Sequence, residues 1–165
     1  MTGTSRRHWV LGAGALAIAG LAATRTASAK APGPFEVTRS DEEWRQRLTP
    51  EQYRVLRKGG TERAYTSPLD RENRAGVLHC AGCEKPLFSS AHKYDSRTGW
   101  PSFWQPIDGA AIGTSPEWTI FGRQTEVHCA RCGGHQGHVF EDGPKPTGLR
   151  YCINGVALLF RPSAA

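Results

Sequence analysis

The length, composition and charge of the chain describe one ordinary globular domain. Its 165 residues are 38% hydrophobic and 22% charged, so it can bury a core without help from disulfides. The net charge is +6, and a chain without Arg6, Arg7 and Arg25 carries +3. Such a small, scattered charge argues against a nucleic-acid partner. The 19 glycines and 11 prolines indicate many turns and short strands.

Residues 1–29 contain the three parts of an export signal. Ser5-Arg6-Arg7 supplies a twin-arginine n-region, residues 10–23 form a weakly hydrophobic run, and Ala27-Ser28-Ala29 fits the small-x-small cleavage rule. The run has 14 residues, fewer than the roughly 20 that a membrane-spanning helix needs. A membrane anchor or a buried core helix is the alternative. We expect an exported, periplasmic protein with no stable membrane span after signal removal.

The rest of the chain is expected to form a linker, residues 30–39, and one domain, residues 40–162. Capping boxes at Ser40 and Thr49 predict two short helices, and the second should end at Gly59-Gly60. Beyond Gly76 the pattern changes to short strand-like runs broken by turn residues. These runs are 77–79, 86–88, 117–121, 125–127, 137–140 and 149–160. They favour a mainly β protein with antiparallel sheets over repeated βαβ units.

Four of the five cysteines form two spaced pairs, Cys80-x-x-Cys83 and Cys129-x-x-Cys132. Four thiolates at this spacing suit one tetrahedral zinc ion. The 45 residues between the pairs exceed the gap of a compact zinc ribbon, so zinc would join two distant hairpins of one domain. Two disulfides, or redox catalysis by one of the pairs, are the alternatives.

Cys152 has no partner of that kind. A lone cysteine in a strand is often a small buried apolar residue, but Arg150 and Asn154 lie two residues to either side and would share its face. A guanidinium beside a thiol favours the thiolate, which is the nucleophilic form. His135 and His138, in a glycine-broken segment, could act as a general acid or as hydrogen-bond donors.

An aromatic cluster at Trp100, Phe103 and Trp104 follows the segment Tyr94-Asp95-Ser96. Such a cluster can simply cover the core. If it faced a nucleophile, it would suit a small apolar group such as a methyl.

Together, these motifs closely resemble the peptide-methionine (R)-S-oxide reductases, the B-type methionine sulfoxide reductases, from about Ser40 to Phe160. The motifs that carry the resemblance are residues 60–64 (GTERA), 87–90 (LFSS), 94–96 (YDS), 99–103 (GWPSF), 137–140 (GHVF), 142–144 (DGP) and 150–154 (RYCIN). The resemblance implies two antiparallel sheets braced by one structural zinc ion on four cysteines, with short N-terminal helices. It also implies reduction of the R epimer of methionine sulfoxide in peptides and proteins.

The resemblance assigns roles to individual residues. Cys152 would attack the sulfoxide sulfur, and Trp100 with Phe140 would accept the substrate methyl group. The catalytic hydrogen bonds to the sulfoxide oxygen would come from His135, His138 and Asn154. Arg150 would orient or acidify the thiol, and zinc would be held by Cys80, Cys83, Cys129 and Cys132.

The chain departs from a common version of the family at Thr98, where many members carry a resolving cysteine. With the other four thiols assigned to zinc, we expect a single-cysteine cycle. Cys152 would become a sulfenic acid, and a thioredoxin-like exported thiol reductant would restore it.

Two other functional classes compete with the reductase. An exported zinc-ribbon binding module without catalysis would explain the four cysteines, but it leaves Cys152 and the aromatic loop without a function. A thiol-disulfide oxidoreductase would need a Cys-x-x-Cys pair that exchanges disulfides instead of binding metal.

Overall fold

The computed structural model describes Met1, residues 33–120 and residues 122–164. The predicted export signal therefore lies outside the described residues, apart from Met1. Within the described part of the chain, no helix is long and apolar enough to cross a membrane.

Two short helices open the domain, as the capping patterns predict. Helix α1 is Asp41–Arg47 and helix α2 is Pro50–Lys58. Both capping boxes are present, because the Ser40 and Thr49 hydroxyls each accept a backbone N–H from the third residue of their helix. Gly59 ends α2 in the left-handed conformation, with φ 66°.

The strands that follow form two antiparallel sheets. In chain order they are β1 Gly76–Cys80, β2 Pro86–Ser89, β3 Lys93–Tyr94, β4 Ser102–Phe103, β5 Ile112–Thr119, β6 Gly122–Cys129, β7 His135–Phe140, β8 Arg150–Ile153 and β9 Leu158–Pro162. One sheet has the order β2-β1-β9, and the other has the order β3-β4-β8-β7-β6-β5. Short 3-10 turns lie at Pro68–Arg71, Ser90–His92 and Gly155–Ala157. The predicted fold class, mainly β with two antiparallel sheets, is confirmed.

The core lies between the sheets and the helices. Phe88 of β2 and Phe103 of β4 stack with their ring centroids 4.4 Å apart, which brings the two sheets into direct contact. Trp44 of α1 and Leu56 of α2 are buried against the same cluster. Phe103, from the aromatic cluster seen in the sequence, is thus part of the core.

The prediction of one continuous strand-like run over residues 149–160 is wrong. The run is divided into β8 and β9, which belong to different sheets, by the 3-10 turn at Gly155–Ala157. The physical cause is Glu62, whose carboxylate accepts the backbone N–H groups of Gly155 and Val156. Those N–H groups are consequently not available to a sheet ladder, and the chain passes from one sheet to the other at this point.

Candidate active site and metal centre

The four paired cysteines meet at the junction of two hairpins. Cys80 ends β1 and Cys129 ends β6, while Cys83 and Cys132 lie in the turns that follow these strands. The four sulfur atoms all lie within 4.8 Å of one another, with Cys80 to Cys132 at 3.7 Å and Cys83 to Cys129 at 3.5 Å. Tetrahedral zinc with bonds of about 2.3 Å places its sulfur ligands about 3.8 Å apart. The cluster therefore fits one zinc ion.

The electrostatics of the cluster also favour a cation. All five cysteines are free thiols, so the predicted alternative of two disulfides is absent from the described residues. The thiol of Cys132 is the main cause that lowers the pKa of Cys129, with further contributions from Cys80 and Cys83. Conversely, the Cys129 thiol, followed by Cys132, Cys83 and burial, raises the pKa of Cys80. Ionising several adjacent sulfurs is unfavourable unless a positive ion lies among them.

Cys152 lies apart from that cluster, in β8, and is half-buried. It is paired across the sheet with Ser102 of β4 on one side and with His138 of β7 on the other. A chain of hydroxyl groups leads to its sulfur. Ser102 Oγ lies 2.7 Å from Ser96 Oγ, Ser96 Oγ lies 2.8 Å from Thr98 Oγ1, and Thr98 Oγ1 lies 3.9 Å from Cys152 Sγ.

Burial is the largest influence on the Cys152 thiol and raises its pKa above the ordinary value. The Thr98 hydroxyl and the Arg150 charge act in the opposite direction, but they do not overcome burial. Arg150 therefore lowers the pKa of Cys152, as predicted, but burial raises that pKa by more. The free protein holds Cys152 mainly as a thiol at neutral pH.

Arg150 also contacts two other side chains, Asp142 and Phe140. Its guanidinium donates two hydrogen bonds to the Asp142 carboxylate, at 2.8 and 2.7 Å, and lies over the Phe140 ring at 4.4 Å from the centroid. The hydrogen bonds from Arg150 lower the pKa of Asp142. The guanidinium thus holds Phe140 and Asp142, which follows β7, against β8.

The two predicted histidines are close together, and each is paired with a carboxylate. The rings of His135 and His138 are 5.3 Å apart between centroids. His138 Nε2 lies 2.7 Å from Glu117 Oε2, and His135 Nδ1 lies 2.8 Å from Glu126 Oε1. His135 is only 3% exposed, and its Nε2 atom has no hydrogen-bond partner among the described residues.

Asn154 lies beyond the end of β8, so the expectation that it shares a strand face with Arg150 and Cys152 is wrong. Its side chain is 3% exposed and binds backbone on both sides. Oδ1 accepts the Glu62 N–H at 2.9 Å, and Nδ2 donates to the Gln136 carbonyl at 3.0 Å. The structure gives Asn154 a bracing function next to Cys152, and its predicted hydrogen bond to a substrate stays a prediction.

Trp100 is held by the same network. Its Nε1 donates to the Glu62 carbonyl at 3.2 Å, and the neighbouring Pro101 carbonyl accepts the Ile153 N–H at 2.9 Å. Glu62 therefore contacts the aromatic loop through its carbonyl and the end of β8 through its N–H and carboxylate. Burial raises the pKa of the Glu62 carboxyl, although two backbone N–H groups partly stabilise its charge.

One face of the larger sheet carries a continuous polar row. It takes one residue from each of five neighbouring strands, because residues paired across antiparallel strands point to the same face. The row is Ser102, Cys152, His138, Glu126 and Ser115. The opposite face is apolar and faces the core, as buried Phe103 and Val127 show.

Sequence reasoning missed the carboxylates Glu62, Glu117 and Glu126, and also Gln136. Gln136, which lies between the two histidines in sequence, is fully buried, and its Nε2 approaches the Cys80 sulfur at 3.5 Å. The burial of Glu126, in the fully buried half of β6, is visible only in the structure. The partners of the other residues are too distant in sequence to be inferred from spacing.

The fold and the site define a β domain whose two sheets are joined by a four-cysteine metal centre, with one separate thiol on a polar sheet face. The SelR domain family model matches residues 48–162, and the chain belongs to this family. Relatives include "Peptide methionine sulfoxide reductase MsrB" of Agrobacterium fabrum, which is 50% identical over 127 residues. The alignment covers 77% of this chain and 94% of that protein.

Two further relatives carry the same name. The protein of Leptospira interrogans is 50% identical, over 77% of this chain and 97% of its own length. The protein of Methanosarcina barkeri is 51% identical, over 76% of this chain and 88% of its own length. The similarity therefore spans most of the chain and nearly the whole of each relative.

Removal of the metal is expected to destabilise the whole domain, because the cluster joins the two sheets. The purified protein should contain one zinc ion per chain. Chelation under reducing conditions should lower the midpoint of thermal unfolding by more than about 10 °C, since losing a four-thiolate site costs several kcal/mol. Metal analysis and circular dichroism measure both effects. Cys152→Ser is the matched control and should keep metal and midpoint. Zinc-free protein with four oxidised thiols would contradict this assignment.

Proposed function

We propose that this chain reduces the R epimer of methionine sulfoxide in peptides and proteins. The observation that carries the proposal is the position of Cys152, a thiol outside the metal cluster and directly opposite His138 on the polar face. The family match and the names of the relatives support reduction of methionine sulfoxide.

The aromatic side chains would select the substrate. Trp100 and Phe140 would receive the methyl group bound to the sulfoxide sulfur, and the hydrogen bond from Trp100 to Glu62 would fix the indole ring. Phe140 would be held in place by the Arg150 guanidinium, which itself pairs with Asp142. The sulfoxide oxygen would then point towards the histidines.

The chemistry follows from the state of the thiol. Because burial favours the protonated thiol, Cys152 would lose its proton as the substrate binds and as charge develops on the sulfoxide oxygen. The proton of Cys152 passes through His138 or His135 to the sulfoxide oxygen, while the cysteine sulfur donates an electron pair to the sulfoxide sulfur and forms a sulfur–sulfur bond. The sulfur–oxygen bond breaks, and methionine leaves reduced by two electrons. The protonated oxygen is transferred to the cysteine sulfur, and the sulfur–sulfur bond breaks with its electron pair left on methionine, so that Cys152 becomes a sulfenic acid.

The metal centre would take no part in this exchange. Cys80, Cys83, Cys129 and Cys132 would hold one zinc ion, which supplies a structural cross-link between the sheets. The cross-link fixes the start of β7, where His135 begins directly after the turn that contains Cys132.

Recovery of Cys152 would need an external thiol. Thr98 occupies the position at which many members of the family carry a resolving cysteine. Its hydroxyl lies 3.9 Å from the Cys152 sulfur, but a hydroxyl cannot form a disulfide. Two external thiols would convert the sulfenic acid back to thiol, with one disulfide and one water as products. We propose a thioredoxin-like exported protein as the reductant.

We further propose that residues 1–29 are a twin-arginine signal, that residues 30–39 link it to a domain at 40–162, and that the mature protein functions in the periplasm. The order of twin arginine, weakly hydrophobic run and small-residue cleavage site supports this proposal. Export after folding would let the metal centre form in the cytosol.

The competing zinc-ribbon binding module is not favoured. The family match covers both cysteine pairs and Cys152 within one domain, and it spans residues 48–162. A binding module would also leave the thiol, both histidines and the polar row without a function.

Loss of the Cys152 sulfur should remove the activity. Cys152→Ser is expected to reduce the R sulfoxide at least about a thousandfold more slowly, because a hydroxyl cannot replace the nucleophile. Chromatography of a peptide containing each sulfoxide epimer measures this directly. The S epimer should remain unreduced by both proteins. Rapid reduction of the R epimer by Cys152→Ser would refute the mechanism.

Introduction of a thiol at position 98 should convert the cycle to one with an internal disulfide. After one turnover without reductant, the wild-type protein should carry a sulfenic acid at Cys152, detectable by a sulfenic-acid-specific label. Thr98→Cys should instead form a disulfide between the introduced thiol and Cys152, because the side chains are already adjacent. Thr98→Ser is the matched control. An internal disulfide in the wild-type protein would exclude the single-cysteine cycle.

Export should depend on the twin arginine. Replacing Arg6 and Arg7 with lysine is expected to retain the precursor in the cytoplasm of a bacterium that has the twin-arginine pathway. Fractionation followed by immunoblotting measures the distribution. Arg25→Lys, outside the twin-arginine motif, is the control and should be exported. Normal export of the double variant would argue against this route.

A further inference from the structure

In the polar row, His138 lies between Cys152 on one side and the carboxylates of Glu126 and Glu117 on the other. His138 is paired with Cys152 of β8 on one side and with Glu126 of β6 on the other. Glu117 lies on β5, two residues beyond Ser115, so its side chain projects from the same face. The carboxylate reaches over β6 to the histidine ring.

The contact between Glu117 and His138 is short and shielded from water. Glu117 Oε2 and His138 Nε2 are 2.7 Å apart, and the two side chains are 16% and 17% exposed. A carboxylate in this position can only accept a hydrogen bond, so the proton of the neutral ring resides on Nε2. The ring nitrogen left for a substrate is therefore Nδ1.

The other carboxylate of the face has different partners. Glu126 accepts the Ser115 hydroxyl at 2.7 Å and the His135 Nδ1–H at 2.8 Å, and His128 Nδ1 is 3.7 Å away. Glu126 is 6% exposed, and its carboxylate contacts residues of β5, β6 and β7. Glu117, in contrast, binds the one histidine that is paired directly with Cys152.

We propose that Glu117 is a positioning residue for the reaction at Cys152. It fixes the tautomer and the orientation of His138, so that Nδ1, which carries no proton in the resting ring, can accept the Cys152 thiol proton and pass it to the leaving oxygen. A carboxylate that accepts a hydrogen bond from one ring nitrogen of a histidine fixes the tautomer and the orientation of the ring in this way. The inference rests on the proposed function for its kinetic consequence, whereas the tautomer can be observed in the resting protein.

Two variants of Glu117 separate the hydrogen bond from the charge. Glu117→Ala removes the acceptor and should lower kcat by about 10-fold to 100-fold, with KM for a sulfoxide peptide nearly unchanged, because proton transfer is affected more than binding. Glu117→Gln keeps an acceptor oxygen at the same reach and should recover part of the loss. Glu141→Gln is a charge-matched control, since Glu141 is an exposed carboxylate just after β7, and should behave as the wild type.

The spectroscopic test uses the full folded, metal-loaded protein without substrate. Two-bond proton–nitrogen correlation spectra of the imidazole groups, assigned with His138→Gln, should show His138 protonated at Nε2 in the wild type and in Glu117→Gln. Glu117→Ala should show a mixture of tautomers or the reversed one. A purely structural effect of Glu117 would not predict this change in a variant that keeps its fold and metal.

The outcomes are decisive in both directions. A kcat of Glu117→Ala within about twofold of an active wild type overturns the proposal, whatever the spectra show. An unchanged His138 tautomer in Glu117→Ala overturns it as well. If the wild-type protein reduces no sulfoxide, the proposed function fails, and the spectra still decide whether Glu117 fixes the ring.

Discussion

The cross-link among Cys80, Cys83, Cys129 and Cys132 is the constraint on which the two-sheet arrangement depends. One pair comes from the hairpin β1-β2 of the smaller sheet, and the other comes from the hairpin β6-β7 of the larger sheet. Each pair belongs to a tight turn, so the four sulfurs fix the relative position of both hairpins. The apolar contact between Phe88 and Phe103 then closes the core on the same side. The position of the polar face follows, because β7 starts next to the cluster.

A second junction joins the sheets without metal. The Glu62 carboxylate holds the turn between β8 and β9, and the Glu62 backbone binds both Asn154 and Trp100. A buried carboxylate is unfavourable unless hydrogen bonds compensate its desolvation, and here two backbone N–H groups do so. One residue thus places the aromatic loop and the end of the thiol-bearing strand relative to each other. Rigid placement of this kind is what a reaction between two sulfur atoms requires.

The surroundings of Cys152 on the polar face favour the protonated thiol in the free protein. Burial raises the pKa of Cys152, and the opposing effect of Arg150, which is paired with Asp142, does not overcome it. A resting thiol is less exposed to oxidation than a thiolate, which suits a protein proposed to function in an oxidising compartment. The carboxylates of Glu117 and Glu126, on the same face, bind His138 and His135 and are separated from the Cys152 sulfur by the β7 strand. In the proposed reaction, this arrangement would separate the nucleophile from the groups that transfer its proton.

Local hydrogen bonds explain what the sequence by itself determined. The caps of α1 and α2 bind atoms three residues away, and the two cysteine pairs and the unpaired Cys152 are visible as spacing alone. The motifs around Cys152 also indicated the family. Tertiary structure alone decided the contacts of Glu117 with His138, Glu62 with Asn154 and Glu62 with Val156, whose partners are 21, 92 and 94 residues apart. It also divided residues 149–160 between two sheets, because the N–H groups that a continuous strand would need are bound by a distant carboxylate. The periodicity of a sequence indicates only which face of a helix or strand a residue occupies. It does not indicate which residue, distant in sequence, contacts that face.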